Sequence, residues 1–447
     1  MSDSYLSFVN SPWGAWLART AGLPQPLALQ RHRSGQQGLA NPVIVAGAGR
    51  LTAEIQRIFT ATDTVTATAA TLKAPSTVKV QGAVFDASAI ADLKQLDELY
   101  AFFHTNAKRL GQHARVVVLG TAPELCKDLP QAIAQRSLEG LVRSLAKELR
   151  RAITVQLIYV APGAEGALES SLRFFLSRRS AYVSGQVVRL EKPVDSQAEI
   201  NWDKPLSGRR ALITGASRGI GLAIAQVLAR DGAQVVCVDV PQAQESLQQA
   251  ASSVGGTALA LDITATDAAQ QLQAHVSQHG AFDVVVHNAG ITRDKTIAKM
   301  TEVAWRSVLA VNLEAPLHLS TALLESQGLK PGGRIVCVSS ISGIAGNLGQ
   351  SNYATSKAGV IGLVQGLAPQ AAAQQVTVNA VAPGFIETQM TAKIPLMIRE
   401  AGRRMNSMSQ GGQPIDVAET IAWLAHPASG GVNGQVVRVC GQSLLGA

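Results

Sequence analysis

Ser340, Tyr353 and Lys357 are residues whose types and spacing could do chemistry. Tyr353 and Lys357 are four residues apart, so a helix through both presents their side chains on one face. A free phenol titrates near ~10 and a nearby ammonium favours the phenolate, so we expect Lys357 to lower the pKa of Tyr353. Ser340 follows the apolar run GRIVCVS, and its hydroxyl can hydrogen-bond a carbonyl oxygen. Together the three residues predict general acid/base chemistry at a carbonyl group.

A Tyr and a Lys can also lie along an exposed helix without any catalytic role, so the elements around them matter. GRIVCVS is typical of a buried strand, and residues 209–221, RRALITGASRGIG, predict a strand, a glycine-rich turn and a helix. Gly215 suits a tight turn, while Gly219 and Gly221 would let a phosphate approach the helix N-terminus. A second strand, AQVVCVD, ends in Asp239. This unit is the context that a dinucleotide-binding fingerprint requires.

Three motifs occur in a fixed order over residues 205–447: TGxxxGIG, Asn288-Ala289-Gly290 after a strand, and Ser340 with Tyr353 and Lys357. This set resembles the short-chain dehydrogenase/reductase family. The resemblance implies a nicotinamide cofactor and a Rossmann-type doubly wound parallel sheet. No metal is expected.

The resemblance also implies roles for single residues. Asn312 would hold a water behind Lys357 and complete a proton relay, although an asparagine there can also stabilise a helix kink. Asp262 would contact the adenine, with Ile263 nearby, although a solvated loop aspartate is the alternative. The remaining expected cofactor contacts are Gly215, Ser217, Arg218, Gly219, Ile220, Gly221, Asp239, Asn288, Ala289, Gly290, Tyr353, Lys357, Pro383, Gly384, Ile386 and Thr388.

Two residues give opposite indications for the cofactor. Asp239 at a strand end can bind the adenosine ribose diol and repel a 2′-phosphate, which favours NADH. Arg218 in the glycine turn could pair with that phosphate, which favours NADPH. We expect Asp239 to dominate. His287 stands where the family usually has a first asparagine, and we interpret it as a packed strand residue, not a catalytic group.

Within the family, GNLGQSNYATSKAG and NAVAPGFIETQMT resemble 3-oxoacyl-[acyl-carrier-protein] reductases, and the long N-terminal half is similar to their high-molecular-weight bacterial subgroup. The resemblance implies reduction of 3-oxoacyl thioesters of acyl-carrier protein or coenzyme A in fatty-acid type metabolism, a preference for NADH, and a homodimer. The same chemistry on coenzyme A thioesters, as acetoacetyl-CoA reduction or 3-hydroxyacyl-CoA oxidation, is the nearest alternative. A non-catalytic nucleotide-binding scaffold is the alternative from another class.

Residues 386–408 are predicted to form a lid over an acyl pocket. Four methionines, Met390, Met397, Met405 and Met408, lie in this stretch, and flexible thioethers suit an adaptable pocket or an ordinary helix core. Arg399 and Arg403, together with Arg404, could meet a phosphate or an acidic carrier helix, with Glu400 neutralising part of the charge.

The first half is predicted to be a degenerate copy of the second. VAPG, GQVVR and the pair EGLVRSLA/IGLVQGLA recur in the same order, which indicates a tandem duplication. The alignment places Gln131 and Gln135 opposite Tyr353 and Lys357, and Leu51 and Ala53 opposite Gly219 and Gly221. We therefore expect a non-catalytic Rossmann-like or flavodoxin-like α/β domain over residues 1–190, a linker over 191–205 and the catalytic domain over 206–447. A second nucleotide site is the alternative.

Composition excludes several classes. The chain of 447 residues is 47% hydrophobic and 16% charged, which is typical of folded protein. The formal charge of +8 suits anionic partners, but Lys/Arg-rich runs are missing and aromatics are 4%, which argues against nucleic-acid binding. Neither a membrane-spanning run nor a signal peptide is seen, and the four scattered cysteines read as free thiols. A cytoplasmic enzyme is expected.

Overall fold

The computed structural model describes residues 3–23, 25–33, 35, 38–67, 79–195, 200–392 and 394–444, which form two compact units. The first unit takes the described residues within Met1–Lys192, Ile394–Gly412 and Cys440–Leu444. The second unit takes those within Pro193–Lys393 and Gln413–Val439. Two pieces of the C-terminal half are thus built into the first unit.

The first unit contains a parallel sheet of six strands in the order β2-β1-β3-β4-β5-β6. Its strands are β1 (Val43–Gly47), β2 (Thr66–Ala67), β3 (Val80–Asp86), β4 (Leu110–Gly120), β5 (Thr154–Val160) and β6 (Val187–Leu190). The inner strands are apolar runs buried on both faces, which is what a parallel sheet covered by helices requires. This strand order is flavodoxin-like, as expected for the first half.

Helices of the first unit are α1 (Ser4–Val9), α2 (Pro12–Thr20), α3 (Thr52–Ala61), α4 (Leu96–Asn106), α5 (Leu129–Glu148) and α6 (Leu168–Phe175). Helix α5 begins where the Asp128 side chain accepts the Gln131 amide at 2.9 Å, and it buries Leu138 and Val142 against the sheet. Helices α1 and α2 lie in a stretch whose residue pattern predicts no regular element.

The second unit contains a parallel sheet of seven strands in the order β13-β12-β11-β10-β7-β8-β9. Its strands are β7 (Arg210–Thr214), β8 (Gln234–Asp239), β9 (Thr257–Ala260), β10 (Phe282–His287), β11 (Leu329–Val338), β12 (Thr377–Pro383) and β13 (Val436–Val439). The strand order reverses between β7 and β10, and this switch point is where doubly wound sheets bind ligands. The Rossmann-type fold predicted for this half is confirmed.

Helices of the second unit are α7 (Gly219–Arg230), α8 (Gln244–Ser253), α9 (Ala268–His279), α10 (Glu302–Leu309), α11 (Ala315–Glu325), α12 (Ile341–Ala345), α13 (Ser351–Ala372), α14 (Gln389–Ala392) and α16 (Pro414–Ala425). Helix α15 (Leu396–Arg404) belongs to the first unit. A π-helical turn, Ala310–Glu314, joins α10 to α11. The continuous stretch Glu302–Glu325 is long and apolar enough to cross a membrane, which the sequence analysis did not expect. Its Leu319 and Leu323 are buried in the core, and a buried core helix can be as long and as apolar as a membrane-spanning one.

Candidate active site

Ser340 and Tyr353 meet at the carboxyl end of β11. Ser340 is extended backbone at the N-terminus of α12, and its hydroxyl accepts the Ser342 amide at 3.1 Å. Tyr353 lies in the first turn of α13, and the nearby Ser340 side chain acts to lower the pKa of its phenol. The structure therefore brings together the two hydroxyls that the sequence paired. One hydroxyl polarises the other, and both can reach a single carbonyl oxygen.

The pKa of Tyr353 is raised, not lowered. Burial of the phenol is the largest cause, and the charge of Asp294 also raises the pKa, while the Ser340 hydrogen bond lowers it. The sequence expectation of a lowered pKa assumed that the Lys357 ammonium faces the phenol oxygen. In this structure the Lys357 Nζ lies 5.7 Å from the centroid of the Tyr353 ring, and the desolvation of the phenolate prevails. A protonated phenol is the form that can act as an acid.

Lys357 is fully enclosed between α13 and β11. Its Nζ donates to the Val338 carbonyl oxygen at 2.8 Å, and burial lowers its pKa to about 8. The Ser339 hydroxyl donates to the Lys357 carbonyl oxygen at 2.7 Å, tying the helix to the strand end. The lysine is therefore held in one position, with a pKa close to neutrality.

Asn312 lies in the π-helical turn and is buried, which fits the frequent use of such turns at functional sites. Its amide group donates to the Ile291 carbonyl at 3.0 Å and to the Ser356 hydroxyl at 3.1 Å, and its oxygen accepts the Ile291 amide at 2.8 Å. A Cβ on Gly290 would lie 3.3 Å from Asn312 Oδ1 and 3.4 Å from Lys357 Nζ, so these groups line the same backbone. Asn312 fixes the chain that follows β10.

The glycine turn forms the N-terminus of α7. Gly219 has φ +60°, a conformation that favours glycine. The space around its Cα is open, so the N-terminus of the helix is accessible there. A Cβ on Gly221 would lie 2.0 Å from the Gly215 oxygen, so Gly221 allows the turn to close on the helix instead of approaching a phosphate directly. The open helix N-terminus at Gly219 and Ile220 can receive a pyrophosphate.

Asp239 lies at the end of β8 beside this turn. Its Oδ2 accepts the Ser217 amide at 3.2 Å and its Oδ1 accepts the Val240 amide at 2.9 Å, so the carboxylate is fixed and partly exposed. Arg218 is exposed on the same turn. Asp239, which favours NADH, and Arg218, which favours NADPH, thus lie close together at the carboxyl end of β8, because Asp239 holds the amide of Ser217.

The ends of the neighbouring strands complete the cofactor groove. Asn288 Nδ2 donates to the Thr214 and Gly215 carbonyls at 3.0 and 3.1 Å, which locks β10 to the glycine turn. The Thr214 hydroxyl accepts the Asn288 and Ala289 amides, each at 3.1 Å. At the end of β9, Asp262 is exposed and accepts the Thr264 amide at 2.9 Å, while Ile263 is buried.

Residues after β12 form the other side of the groove. The Gly384 amide donates to the Val439 carbonyl at 3.0 Å, which holds the Pro383-Gly384 turn against β13. The Thr388 amide donates to the Thr391 hydroxyl at 2.9 Å, and Ile386 is buried behind this turn. Because all these strands are parallel, the predicted cofactor residues that follow β7, β8, β9, β10 and β12 lie at one sheet edge, and α13 brings Lys357 to the end of β11 there.

Some supporting residues carried no sequence signal. The hydroxyls of Thr214, Ser339 and Ser356 hydrogen-bond only backbone groups or side chains already described. No motif in the sequence distinguishes them from other serines and threonines. His287 packs as expected: its Nε2 lies 2.9 Å from the Ser320 hydroxyl, and burial lowers its pKa to about 4. It is therefore neutral at neutral pH. No cluster of metal-ligating side chains occurs among the residues that the structure describes.

The first unit carries a counterpart of this groove whose phosphate end is filled. By strand register Asp86 on β3 takes the position of Asn288 on β10. Its carboxylate accepts the Leu51 amide and the Thr52 hydroxyl, both at 3.1 Å, at the start of α3, and the Ser88 hydroxyl at 2.6 Å. A carboxylate of the chain itself therefore occupies the helix N-terminus where a phosphate would bind.

The opposite end of that groove is filled by Arg50. Its guanidinium donates to Glu165 at 2.5 Å, to the Thr121 hydroxyl at 3.3 Å and to the Val160 carbonyl. By the same register Thr121 takes the position of Ser340, so Arg50 contacts the counterpart of the strand end that carries Ser340. Gln135, opposite Lys357, donates to the Ala87 and Ile90 carbonyls at 2.8 and 2.9 Å and is likewise engaged.

Comparisons with known proteins agree with this geometry. The family model described as Enoyl-(Acyl carrier protein) reductase matches residues 215–441, about half of the chain. The chain is 41% identical to a 3-oxoacyl-[acyl-carrier-protein] reductase of Vibrio cholerae over 237 residues, which is 53% of this chain and 97% of the relative. It is 40% identical to the same-named protein of Thermotoga maritima over 240 residues, or 53% of this chain and 98% of the relative. Nodulation protein G of Azospirillum brasilense is 35% identical over 241 residues, or 53% of this chain and 98% of that protein.

Proposed function

The chain belongs to the short-chain dehydrogenase/reductase family, and from this premise we propose that it reduces 3-oxoacyl thioesters to 3-hydroxyacyl thioesters. It is an NAD(P)-dependent oxidoreductase. The observation that carries the proposal is the neighbouring Ser340 and Tyr353 side chains beside the enclosed Lys357. Relatives named as 3-oxoacyl-[acyl-carrier-protein] reductases support the substrate class.

The residues present fit a dinucleotide. The open, positive-φ Gly219 at the N-terminus of α7 would take the pyrophosphate, and Asp239 would take the adenosine ribose. Lys357, Asn288 and the Pro383–Thr388 turn would hold the nicotinamide end. When bound, the cofactor supplies the hydride that reduces the substrate carbonyl.

Tyr353 and Ser340 carry out the proton chemistry. The Ser340 hydroxyl donates a hydrogen bond to the 3-oxo oxygen and fixes its direction. The Tyr353 hydroxyl transfers its proton to that oxygen as C3 gains the hydride, so the carbonyl becomes a secondary alcohol. Burial keeps the phenol protonated at neutral pH, and the Lys357 ammonium stabilises the phenolate that is left.

We propose that NADH is the preferred cofactor. The Asp239 carboxylate is held by the Ser217 and Val240 amides at the end of β8, where it would accept the ribose diol and repel a 2′-phosphate. Arg218 lies exposed on the same turn and is the group that would favour NADPH. Initial rates with NADH and NADPH at matched concentrations test this choice.

The experiment that tests the function is a steady-state assay of cofactor oxidation with matched 3-oxoacyl thioesters on acyl-carrier protein and on coenzyme A. Turnover that depends on Tyr353 supports the proposal, and the ratio of kcat/KM values decides between carrier and coenzyme A. A coenzyme A preference with faster oxidation of the 3-hydroxyacyl form would support the dehydrogenase alternative. A chain that binds NADH but turns over neither substrate would support the scaffold alternative.

We further propose that the first unit is non-catalytic and binds no dinucleotide. Asp86 and Arg50 occupy the two ends of its groove, which supports this role. The chain would bind one cofactor per protomer, act as a cytoplasmic homodimer, and have no nucleic-acid or membrane partner. Calorimetric stoichiometry and light scattering after size exclusion measure the first two properties on the full-length chain.

A further inference from the structure

The loop after β10 is fastened to the first turn of α13, the helix that carries the catalytic tyrosine. Gln350 immediately precedes this helix, and its Nε2 donates to Asp294 Oδ2 at 2.9 Å. Asn352 Nδ2 donates to the Arg293 carbonyl oxygen at 3.2 Å. A parallel backbone bridge also pairs Lys295 with Gln350. Two side chains and one backbone bridge therefore hold three consecutive loop residues against the start of α13.

The buried side chain of Asn352 makes this attachment firm. Besides the loop, its Nδ2 donates to the Ala304 carbonyl oxygen of α10 at 3.1 Å. Its Oδ1 accepts the amide of Tyr353 at 2.8 Å. One side chain, which is 0% exposed, thus joins the loop, α10 and the backbone of the tyrosine. The loop and the first turn of α13 therefore form one local structure.

Gln350 is oriented from its other side as well. Its Oε1 accepts Asn347 Nδ2 at 2.8 Å, which leaves its Nε2 to donate to Asp294. Asp294 is exposed, but its carboxylate is held in place by this hydrogen bond. Within the described part of the chain it forms no ion pair, so no paired cation neutralises its charge.

Asp294 is the charged group that acts on the Tyr353 phenol. Its charge raises the pKa of the phenol, in the same direction as burial. Lys357, on the same helix, has a pKa of about 8 and loses its charge before the phenol titrates. The elements packed against α13 also carry other titratable groups, and these do not shift the pKa of Tyr353: Lys330, Arg334 and Cys337 on β11, Glu302 and Arg306 on α10, and Glu314 in the π-helical turn.

We propose that Gln350 is a positioning residue that holds Asp294 against the first turn of α13, where its negative charge opposes the Tyr353 phenolate and keeps the acid loaded with its proton. The inference rests on the proposed function, because it takes Tyr353 as the proton donor. Each reduction leaves a phenolate, which must take up a proton before the next turnover. A fixed negative charge nearby favours that uptake.

The test follows the ionisation of this one phenol in the full-length chain. Difluorotyrosine replaces Tyr353, because its phenol ionises at lower pH than that of tyrosine and fluorine NMR detects it alone. We expect the midpoint of ionisation to move to lower pH in Asp294→Asn, which removes the charge, and in Gln350→Met, which removes the hydrogen bond that holds it. Asp294→Glu keeps the charge and should retain a midpoint closer to that of the unaltered chain.

The matched control is Asp267→Asn. Asp267 is also an exposed carboxylate of the second unit held by a glutamine, because it accepts Gln271 Nε2 at 3.0 Å, but its charge does not act on Tyr353. This variant should leave the midpoint unchanged. An unchanged midpoint in Asp294→Asn would overturn the proposal. A shift in Asp294→Asn without one in Gln350→Met would show that Gln350 does not position the charge, and would overturn it too.

The reverse reaction gives a second readout, in chains with an ordinary tyrosine. Tyr353 must then be a phenolate, because it takes the proton of the 3-hydroxyl as the hydride leaves C3. At neutral pH Asp294→Asn should oxidise a 3-hydroxyacyl thioester faster than the wild type, by at least about twofold, with the Kd for NADH unchanged. An equal or slower rate with intact NADH binding would contradict the proposal. A wild-type chain that reduces no 3-oxoacyl thioester would overturn the proposed function instead, and the midpoints would still decide whether Asp294 acts on Tyr353.

Discussion

The Lys357 ammonium donates to the Val338 carbonyl oxygen at 2.8 Å and lies 5.7 Å from the centroid of the Tyr353 ring. The strand end that carries Ser340 therefore also holds the lysine, and one local structure positions both. Burial shifts the two pKa values apart, since the pKa of Tyr353 is raised by burial and that of Lys357 is lowered to about 8. The lysine is consequently the first of the pair to lose its proton as the pH rises.

The first prediction is a pH dependence set by Lys357. The ammonium is present below a pKa of about 8 and is lost above it, while the phenol stays protonated. We expect kcat/KM for thioester reduction to be constant near neutral pH and to fall as the pH passes the lysine pKa. Lys357→Arg keeps the charge, so its residual activity should show no such inflection. The same inflection in Lys357→Arg would assign it to another group.

The second prediction concerns the proton donor. Tyr353→Phe keeps the ring and removes only the hydroxyl, so kcat should fall by about 10²–10⁴-fold while the Kd for NADH changes little. Steady-state assays and fluorescence titration measure the two quantities. Tyr100→Phe is the matched control, because Tyr100 is 67% exposed on a helix of the first unit. Retention of more than about a tenth of kcat in Tyr353→Phe would remove the residue from the acid role.

The third prediction concerns the choice of cofactor. Asp239→Ala removes the carboxylate at the end of β8, so NADH should bind more weakly and discrimination against NADPH should fall by about tenfold. The ratio of kcat/KM for the two cofactors is the measurement. Asp262→Ala, at the end of the next strand, should affect both cofactors alike. A wild-type preference for NADPH would show that Arg218 decides the choice.

The fourth prediction concerns the filled groove of the first unit. Asp86→Asn removes the charge that faces the start of α3, and it also turns one acceptor into a donor against Leu51, Thr52 and Ser88. The free energy of local opening of the first unit should fall by about 1–3 kcal/mol. Hydrogen exchange of the β1 and β3 amides measures this change. Asp97→Asn, exposed on α4, should change exchange little. Altered kcat in Asp86→Asn, or unchanged exchange, would contradict this account.

Much of the catalytic unit was predictable because its signals are local. The spacing of Tyr353 and Lys357, the glycine turn and the strand-end Asp239 each lie within one or two elements, where sequence periodicity is informative. The parallel α/β architecture of the first unit was likewise expected from alternating strands and helices. The direction of the shift in the Tyr353 pKa was not expected, because burial depends on the whole environment of the phenol and not on its neighbour four residues away.

Long-range relationships lay beyond the sequence. Arg404 donates to both oxygens of Asp3, 401 residues away, and neither residue has a local pattern that indicates the other. The helices α1 and α2 are short and carry little periodicity, yet they lie in the stretch that binds the segment 394–412. Asn312 was identified through resemblance, but the π-helical turn that directs it to Ile291 and Ser356 has no sequence signature of its own.

The most direct test of the central claim follows the hydride itself. NADH carrying deuterium on the transferred position of the nicotinamide ring is incubated with a 3-oxoacyl thioester and the full-length chain, and the product is analysed by mass spectrometry. We predict a 3-hydroxyacyl thioester that carries one deuterium at C3, formed by the wild type and nearly absent with Tyr353→Phe. A product without deuterium at C3, or no product from the wild type with either NADH or NADPH, would contradict the assignment of this site to 3-oxoacyl thioester reduction.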